Sequence, residues 1–314
     1  MPELPEVETI RKDLAKKIVG EKIIDLQIKK PKLVKQNLTT FRKNLINSHI
    51  HSVQRKGKLL IFPLQKTHRE KPERYLLIHL KMTGQLVYCQ ADNLIIGGHA
   101  NNRREEIKIL QQETKDFCQP GPYTHLVFHF QSSNKLFFND LRQFGFLKTV
   151  TTAELRRIKS RYGLDPTATQ FTLTNFRQIL TGHSGQLKPF LLNQEKIAGL
   201  GNIYVDESLF AARLHPQTPV NQLNLNDQKR LYSAIKRIIN RALKFRGTTF
   251  SDFVDANGRQ GNFRQQLKVY GRAKQPCPRC RRLNRQSPPL IKKIKVAGRG
   301  THFCPVCQQK SRDK

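Results

Sequence analysis

The first residues of the chain carry the groups that could perform covalent chemistry. The sequence begins Met1-Pro2-Glu3, and a small residue after the initiator favours removal of Met1, which would leave Pro2 as a free secondary amine. An α-amino group titrates near pH ~8, so a fraction of it is neutral and nucleophilic at neutral pH. Such an amine can open a sugar at C1′ and form a Schiff base, and a secondary amine gives a permanently charged iminium. Glu3 is close enough to hand a proton to a leaving group.

The same residues have a simpler interpretation. Pro5 suits the first turn of a helix, and Glu3 and Glu6 favour a helix N-terminus. On these residues alone, the purely structural interpretation is the more common one. The rest of the chain decides between the two.

The composition indicates a polyanionic partner. The 314 residues include 57 Lys and Arg against 23 Asp and Glu, a formal net charge of +34. A charge of this size favours nucleic acid over anionic lipid. No apolar run approaches the ~20 residues needed to span a bilayer, and the basic N-terminal segment has the apolar spacing of an amphipathic helix, not of a leader. We therefore expect a soluble intracellular protein.

Hydrophobic periodicity divides the chain into a strand-rich half and a helical half. Alternating stretches predict antiparallel strands packed as a sandwich behind an N-terminal helix, and 3.6-residue spacing predicts helices after Asp165-Pro166. The polar stretch 90–122 is interpreted as a surface insertion that is partly mobile. The predicted strands are 22–28, 51–53, 59–63, 75–79, 125–130 and 135–138, and the predicted helices are 5–19, 174–180, 188–196, 202–212 and 227–245.

Four of the six cysteines form two Cys-x-x-Cys pairs near the C-terminus. Cys277 and Cys280 are followed by Cys304 and Cys307, an order that fits tetrahedral structural zinc. So short a tail cannot bury a core of its own, so the metal would hold it together. Disulfide pairs are the less favoured alternative in a reducing compartment. Cys89 and Cys118 lie outside the pairs and are expected to be ordinary thiols.

Three further segments have both a functional and a structural interpretation. Lys58 starts an apolar strand, either in a solvated basic turn or as a cation that contacts phosphate and donates a proton. Met82 and Phe144, the latter with Arg142 beside it, are either core residues or a wedge that fills the space left by an extruded base. Asn202 is predicted to be the N-cap of a helix whose N–H groups suit a phosphate, with Lys188 upstream, although a plain helix hairpin would look similar.

Together these motifs resemble the formamidopyrimidine-DNA glycosylases, the bacterial bifunctional repair enzymes. Leu4, where the endonuclease VIII type usually has glycine, and the 247–253 segment, which looks like a loop that caps an oxidised purine, favour the purine-specific branch. The matching segments occur in family order and are 2–6, 57–58, 140–145, 199–204 and 298–304.

The resemblance implies an α+β multidomain fold. Residues 1–150 would form a catalytic antiparallel β-sandwich domain with a flanking helix and the 90–122 insertion, and residues 151–166 a linker. Residues 167–270 would form a helical domain with a helix–two-turn–helix and a lesion-capping loop. Residues 271–314 would form a zinc-finger β-hairpin in which the four paired cysteines bind one structural Zn²⁺ as the cofactor.

The resemblance also implies a role for each matching residue. Pro2 would be the nucleophile, Glu3 the general acid and Glu6 a support for the proton network, while Lys58 would serve β-elimination and Arg299 δ-elimination. Among the DNA-binding residues, Met82, Arg142 and Phe144 would fill the void left by the flipped nucleotide, and Lys188 and Asn202 would grip phosphate. Tyr123 stands where a DNA-contacting His is usual, His183 where Lys or Arg is usual, and Lys81 where Gly is usual.

The implied activity is base excision repair. The enzyme would remove 8-oxoguanine and formamidopyrimidines and then cut the strand by β,δ-elimination. The expected partner is double-stranded DNA with oxidised bases or abasic sites, and the expected state is a monomer in the bacterial cytoplasm, active at the nucleoid and not at a membrane. The alternative is a catalytically inactive protein that binds damaged or abasic DNA.

Overall fold

The computed structural model describes residues 2–67, 71–90, 93–99, 119–248, 253–254, 261–283 and 287–309. These residues form two compact units. The strand unit comprises Met1–Ser160 and Phe245–Arg264, and the helical unit comprises Arg161–Lys244 and Gln265–Lys314. Most of the predicted linker 151–166 is helical, since Thr152–Ser160 forms a helix.

The strand unit contains one large sheet in which every strand pair is antiparallel. Its strand order is β10-β5-β4-β2-β1-β8-β9-β6-β7-β11, with β3 paired to β4. This confirms the antiparallel architecture predicted for this half. The strands are β1 Lys22–Ile28, β2 Ser48–Ile50, β3 Gln54–Lys56, β4 Leu59–Gln65, β5 Arg74–His79, β6 Gly84–Gln90, β7 Asn93–His99, β8 Thr124–Phe130, β9 Lys135–Asp140, β10 Phe146–Thr151 and β11 Phe253–Val254.

The first helix, α1 (Leu4–Ile18), fills the main core of this unit. Val7, Ile10, Leu14 and Ile18 recur on one face and are buried with the strand side chains. Alternation along the strands divides their apolar side chains between this core and a smaller cluster on the other face of the sheet. The core therefore fixes α1, and with it the chain's first residues, against the sheet.

The prediction of a strand over 51–53 was wrong. These three residues join β2 to β3, and both of those strands pair with β4. Val53 is buried and the N–H of His51 bonds to Pro63 O at 2.9 Å, which imitates the alternation of a strand. The register against β4 shifts by one residue between Ile50, opposite Leu64, and Gln54, opposite Ile61, so residues 51–53 interrupt the pairing.

The remaining helices of the strand unit are α2 (Leu38–Leu45) and α3 (Thr152–Ser160). The helical unit contains α4 (Leu173–Leu180), α5 (Leu187–Leu192), α6 (Asn202–Ala212), α7 (Leu225–Lys244) and α8 (Pro278–Arg282), followed by the hairpin of β12 (Lys292–Val296) and β13 (Arg299–Phe303). The predicted helix 188–196 is shorter because Asn193 takes the N–H of Glu195 onto its own side chain and ends the helix.

Three sequence expectations bear on the remaining parts of the chain. No helix within the described ranges has the length and apolarity needed to cross a bilayer. Cys89 is disulfide-bonded, so the expectation of an ordinary thiol was wrong there. Of the predicted insertion 90–122, residues 93–99 form strand β7, whereas the predictions for 100–118 lie outside the described residues.

Candidate active site

The start of α1 is held by two buried carboxylates. Glu3 and Glu6 are each 2% exposed, and Pro2 is buried beside them. Glu6 Oε2 accepts the N–H of Glu3 at 2.8 Å, and Glu6 Oε1 accepts the N–H of Thr248 at 2.7 Å. One side chain therefore ties the first residues of the chain to a segment more than 240 residues away. The predicted loss of Met1 concerns a residue outside the described ranges.

Gly247 is required by this contact. Its φ is +86°, and a Cβ at this position would lie 2.7 Å from Glu6 Oε1. Glycine permits both the left-handed backbone and the close approach of the carboxylate. The segment that leads into the predicted capping loop is thus fixed at its start, while residues 249–252 of that loop lie outside the described part of the chain.

Lys58 lies in the turn between β3 and β4, and this turn is tied to α1. Gly57 has a φ of +57°, and Lys58 is only 8% exposed. Arg55 donates to Gly57 O at 2.9 Å and to Glu8 of α1 at 2.9 Å. Burial raises the pKa of Glu8, but hydrogen bonds from Arg11 and Arg55 outweigh it and leave that pKa below its usual value. The ionised Glu8 therefore holds the turn that carries Lys58.

His79 is a residue that the sequence analysis missed. Its burial, and then the charges of Lys81 and Lys58, lower its pKa to about 3. The neutral ring accepts the N–H of Lys81 on Nδ1 at 3.0 Å, which helps to hold Lys81 at a φ of +51°. The Lys81 ammonium lies 5.8 Å from the centre of the Phe146 ring. Only the spacing His79-Leu80-Lys81 could have pointed to this turn.

The two predicted wedge turns are braced against each other. Asp140 is fully buried and accepts the N–H of Gly145 at 2.7 Å and the hydroxyl of Thr83. Thr83 in turn accepts the N–H of Arg142 at 2.9 Å. Asp140 thus links the turn that carries Met82 to the turn that carries Arg142 and Phe144.

The side chains on these turns face outward. Phe144 is 54% exposed, with the Arg142 guanidinium 4.9 Å from its ring centre, and Met82 is half-buried. A core role for Phe144 is therefore excluded. Tyr123 is 37% exposed, and its carbonyl accepts the N–H of Asp140 at 3.0 Å, which places it beside the same turn.

Lys188 in the helical unit does not lie where a side chain that binds DNA phosphate would lie. The side chain is fully buried, and its ammonium donates to Asp206 at 2.6 Å and to Gly300 O at 3.1 Å. This environment does not fit the predicted phosphate contact, because both hydrogen bonds point into the protein. Asp206 also accepts the N–H of His302 at 2.8 Å. Lys188 and Asp206 together fix strand β13 to α6.

Asn202 and Arg299 meet through the same strand. Asn202 is the first residue of α6 and Gly201 is the N-cap, so the predicted N-cap role of Asn202 was wrong by one position. The Asn202 side chain donates to Gly300 O at 2.9 Å. Arg299 is the exposed residue before Gly300, directly after a tight turn in which Ala297 and Gly298 have positive φ. The start of α6 and Arg299 are therefore adjacent.

The turn before α6 is organised by Gln194, whose importance could not be inferred from its type. Its amide donates to the carbonyls of Leu192 and Leu200 at 2.9 Å each and accepts the N–H of Gly199 at 2.8 Å. His183 is half-buried against Phe190, with a 5.1 Å distance between ring centres. The predicted DNA contact of His183 stays a prediction.

The four tail cysteines form one cluster. All four sulfur atoms lie within 4.8 Å of one another, with 3.8 Å between Cys277 and Cys307 and 3.9 Å between Cys280 and Cys304. Zinc–sulfur bonds of ~2.3 Å in a tetrahedron require sulfur atoms about 3.8 Å apart, so the residues fit one structural zinc ion. Cys277, Cys280 and Cys304 are buried, as a closed structural site requires.

The comparisons with known proteins agree with this geometry. The formamidopyrimidine-DNA glycosylase N-terminal domain family matches residues 1–147, the H2TH domain family of the same enzymes matches residues 162–254, and the zinc finger found in these enzymes and in isoleucyl-tRNA synthetases matches residues 290–310. The last match includes Cys304 and Cys307 only, whereas the structure brings Cys277 and Cys280 to them.

Individual relatives match over nearly the whole chain. The formamidopyrimidine-DNA glycosylase of Pelotomaculum thermopropionicum is 36% identical over 89% of this chain and 91% of its own length. The Lactococcus lactis enzyme bound to abasic-site DNA is 34% identical, covers 98% of this chain and 100% of its own, and has a TM-score of 0.80. A mutant of that enzyme bound to Fapy-dG DNA gives the same coverage, identity and TM-score. The chain belongs to the formamidopyrimidine-DNA glycosylase family.

Proposed function

We propose that this chain is a bifunctional DNA glycosylase and AP lyase that removes oxidised purines from double-stranded DNA and cuts the strand at the abasic site. The observation that carries the proposal is the start of α1, where Pro2 precedes two buried carboxylates. Glu6 fixes the backbone of Glu3 through a 2.8 Å hydrogen bond. An amine and an acid held this way can act on the two sides of one glycosidic bond.

The glycosylase step assigns the nucleophile to Pro2 and the acid to Glu3. The Pro2 nitrogen forms a bond to C1′, and the bond from C1′ to the base breaks with its electron pair leaving on the base. Glu3 supplies the proton that the departing base or the ring oxygen needs. The Pro2 nitrogen then loses its N–H proton, and Glu3 returns a proton to the ring oxygen as the sugar ring opens. This gives the iminium between Pro2 and C1′, with Glu6 supporting the network.

The lyase steps are assigned to one cation in each unit. The iminium withdraws electrons, so loss of a proton from C2′ expels the 3′ phosphate, and a second elimination expels the 5′ phosphate. Lys58 serves the first step from the turn that Arg55 and Glu8 hold. Arg299 contacts the phosphate in the second step, from the exposed end of the finger hairpin.

The wedge and the phosphate contacts complete the proposal. Met82, Arg142 and Phe144 fill the space of the flipped nucleotide, which offsets part of the few kcal/mol that extrusion costs. Asn202 and the first N–H groups of α6 bind phosphate, and Tyr123 and His183 contact DNA. Lys188 is reassigned as the buried support of the strand that carries Arg299.

The zinc ion has a structural role in this proposal. Cys277, Cys280, Cys304 and Cys307 would hold it, and it supplies folding energy to the hairpin and no reaction step. The four-segment domain division, a monomeric state and activity at the nucleoid of the bacterial cytoplasm belong to the same proposal.

A duplex with a single 8-oxoguanine and an end label tests the proposal. Cleavage that leaves phosphate on both ends of the gap is expected. Glu3→Gln should reduce cleavage at 8-oxoguanine by about 10²–10⁴-fold, with a smaller loss at a preformed abasic site, where no base remains to be expelled. Tight binding to both duplexes with no cleavage of either would instead establish the inactive DNA-binding alternative.

A further inference from the structure

A second concave site lies in the helical unit at the C-terminal end of α6. Its cavity has a volume of about 500 Å³. The walls come from the end of α6, the second half of α7 and helix α8. Six cations line it: Arg213, Arg237, Arg241, Lys268, Arg279 and Arg282.

The positive charge of this pocket is not neutralised from within. Among the described residues that line it, Glu207 is the one carboxylate. This side chain is 1% exposed and accepts the N–H groups of Lys268, Val269 and Tyr270. Arg213, Arg237 and Arg282 are exposed and form no ion pair with a carboxylate in the described part of the chain. The rim therefore favours an anionic ligand.

The floor of the pocket is apolar. Arg279 stacks on Phe210, with its guanidinium 4.3 Å from the ring centre, and donates to Phe210 O at 2.9 Å. Ile238 is half-buried, and Leu283 is 66% exposed at the edge. Leu283 therefore offers an apolar contact at the edge of the arginine-lined hollow.

The position and shape of the pocket argue against a DNA duplex as its ligand. Asn202, at the proposed phosphate-binding end of α6, and Arg213, just past its other end, are separated by the length of the helix, about 16 Å for eleven residues. A duplex presents convex rows of phosphates and no side chain that could fill an apolar hollow. A peptide with carboxylates around one large apolar residue matches both the rim and the floor.

We propose that this pocket, the rear pocket of the helical unit, binds an acidic segment of a partner protein. A large apolar side chain of that segment enters the hollow between Phe210, Ile238 and Leu283. Its carboxylates pair with Arg213, Arg237 and Arg282. The site would hold the repair protein on a partner while the opposite end of α6 remains available to DNA.

Fluorescence anisotropy with the full-length, zinc-loaded protein tests this site. The probe is a fluorescein-labelled peptide of about twelve residues with aspartates on both sides of one phenylalanine. Arg237→Glu should weaken its binding at least about tenfold, since close charge pairs at interfaces couple by about 1.5 kcal/mol or more, and Leu283→Ser should weaken it about threefold. Lys229→Glu, the same charge change at an exposed site on α7, should change it less than about twofold.

Three outcomes would overturn the proposal. Equal losses for Arg237→Glu and Lys229→Glu would show attraction by net charge alone. Equal binding of a peptide with alanine in place of phenylalanine would show that no apolar residue enters the hollow. A lesion duplex that displaces the probe and is itself weakened by Arg237→Glu would assign the pocket to DNA. Arg237→Gln, with thermal unfolding as a check, provides a milder variant should the charge reversal destabilise the fold.

Discussion

The two units use their buried carboxylates alike but leave their lysines in different surroundings. Glu6 in the strand unit accepts the N–H groups of Glu3 and Thr248, and Glu207 in the helical unit accepts those of Lys268, Val269 and Tyr270. In each unit a carboxylate on a helix fixes backbone that is distant in sequence. A buried carboxylate is stabilised when several N–H groups donate to it.

The two units differ in the surroundings of their lysines. Lys188 is fully buried against Asp206, whereas Lys58 and Lys81 face a histidine that their charges help to keep neutral. A chain with 23 acidic and 57 basic side chains cannot pair its cations internally. The buried acids either hold backbone, as Glu6 and Glu207 do, or pair with a cation, as Asp206 does with Lys188. This comparison predicts how four substitutions should behave.

The largest effect is expected from the buried ion pair. Asp206→Asn leaves the Lys188 ammonium buried without its counter-charge, which should lower the free energy of unfolding by about 3–5 kcal/mol. Asp227→Asn is the matched control, because the Asp227–Arg230 pair is partly exposed and such pairs contribute about 0–1 kcal/mol. Urea unfolding measures both. If both variants lost the same small amount of unfolding free energy, Lys188 would be solvated and would not be a buried support.

Gly247→Ala should damage the strand unit in a different way. A non-glycine residue at a φ of +86° costs about 1–2 kcal/mol, and the added methyl group also pushes the Glu6 carboxylate away. Displacing a catalytic group in this way can reduce cleavage by about ten- to hundredfold.

Gly20→Ala separates the two contributions of that change. Gly20 has a φ of +88° but no atom within 4 Å of the added methyl group. The Gly20→Ala variant should lose a similar amount of stability, and its cleavage rate should be unchanged. A normal cleavage rate in Gly247→Ala would show that the Glu6 contact does not position the site.

His79→Asn tests the neutral imidazole whose pKa is lowered by burial and by the charges of Lys81 and Lys58. The folded pKa of about 3 lies below the unfolded value of 6.5, so the unfolded chain binds the proton first as the pH falls. The stability from the neutral ring is complete above pH ~6.5 and is lost towards pH 3. Asn retains an acceptor for Lys81 N–H but does not titrate, so the pH dependence of unfolding should become flatter in this window. His51→Asn, at an exposed position, serves as the control, and an unchanged profile in His79→Asn would contradict the assignment.

Lys81→Gly should have the smallest effect, with opposite signs in two measurements. Removing a left-handed lysine should raise the free energy of unfolding by about 1–2 kcal/mol. The Lys81 side chain is exposed, and we expect its ammonium to contact one DNA phosphate, so its removal should reduce the salt slope of duplex binding by about 0.9. Lys81→Ala removes the same charge and keeps most of the backbone strain, so it should show the altered slope without the added stability. An unchanged slope in both variants would exclude Lys81 from the DNA interface.

Motifs with local signals were predictable from the sequence. The cysteine pairs, the helix at 5–19 and the antiparallel strands follow from residue type and spacing, and the structure agrees. The sequence left Met82 and Phe144 as either core or wedge residues, and the exposure of Phe144 excludes the core for that residue.

Lys188 could not be placed, because its partner Asp206 is 18 positions away on a helix buried on nearly every side. Glu207 holds N–H groups more than 60 positions away, and Asp140 accepts the hydroxyl of Thr83, 57 positions away, so no periodicity reveals either role. Gln194 acts within its own turn, where a glutamine has no recognised signal. Residues 51–53 were predicted to be a strand because a short connection between two strands can show the same alternation of buried and exposed residues.

Borohydride trapping followed by mass spectrometry tests the central claim most directly. Reduction during reaction with an 8-oxoguanine duplex should leave one deoxyribose adduct on the nitrogen of Pro2, in protein that has lost Met1. A variant with one alanine inserted before Pro2 should form no such adduct at position 2 and should cut the duplex far more slowly. An adduct on Lys58, or active protein that still carries Met1, would contradict the account.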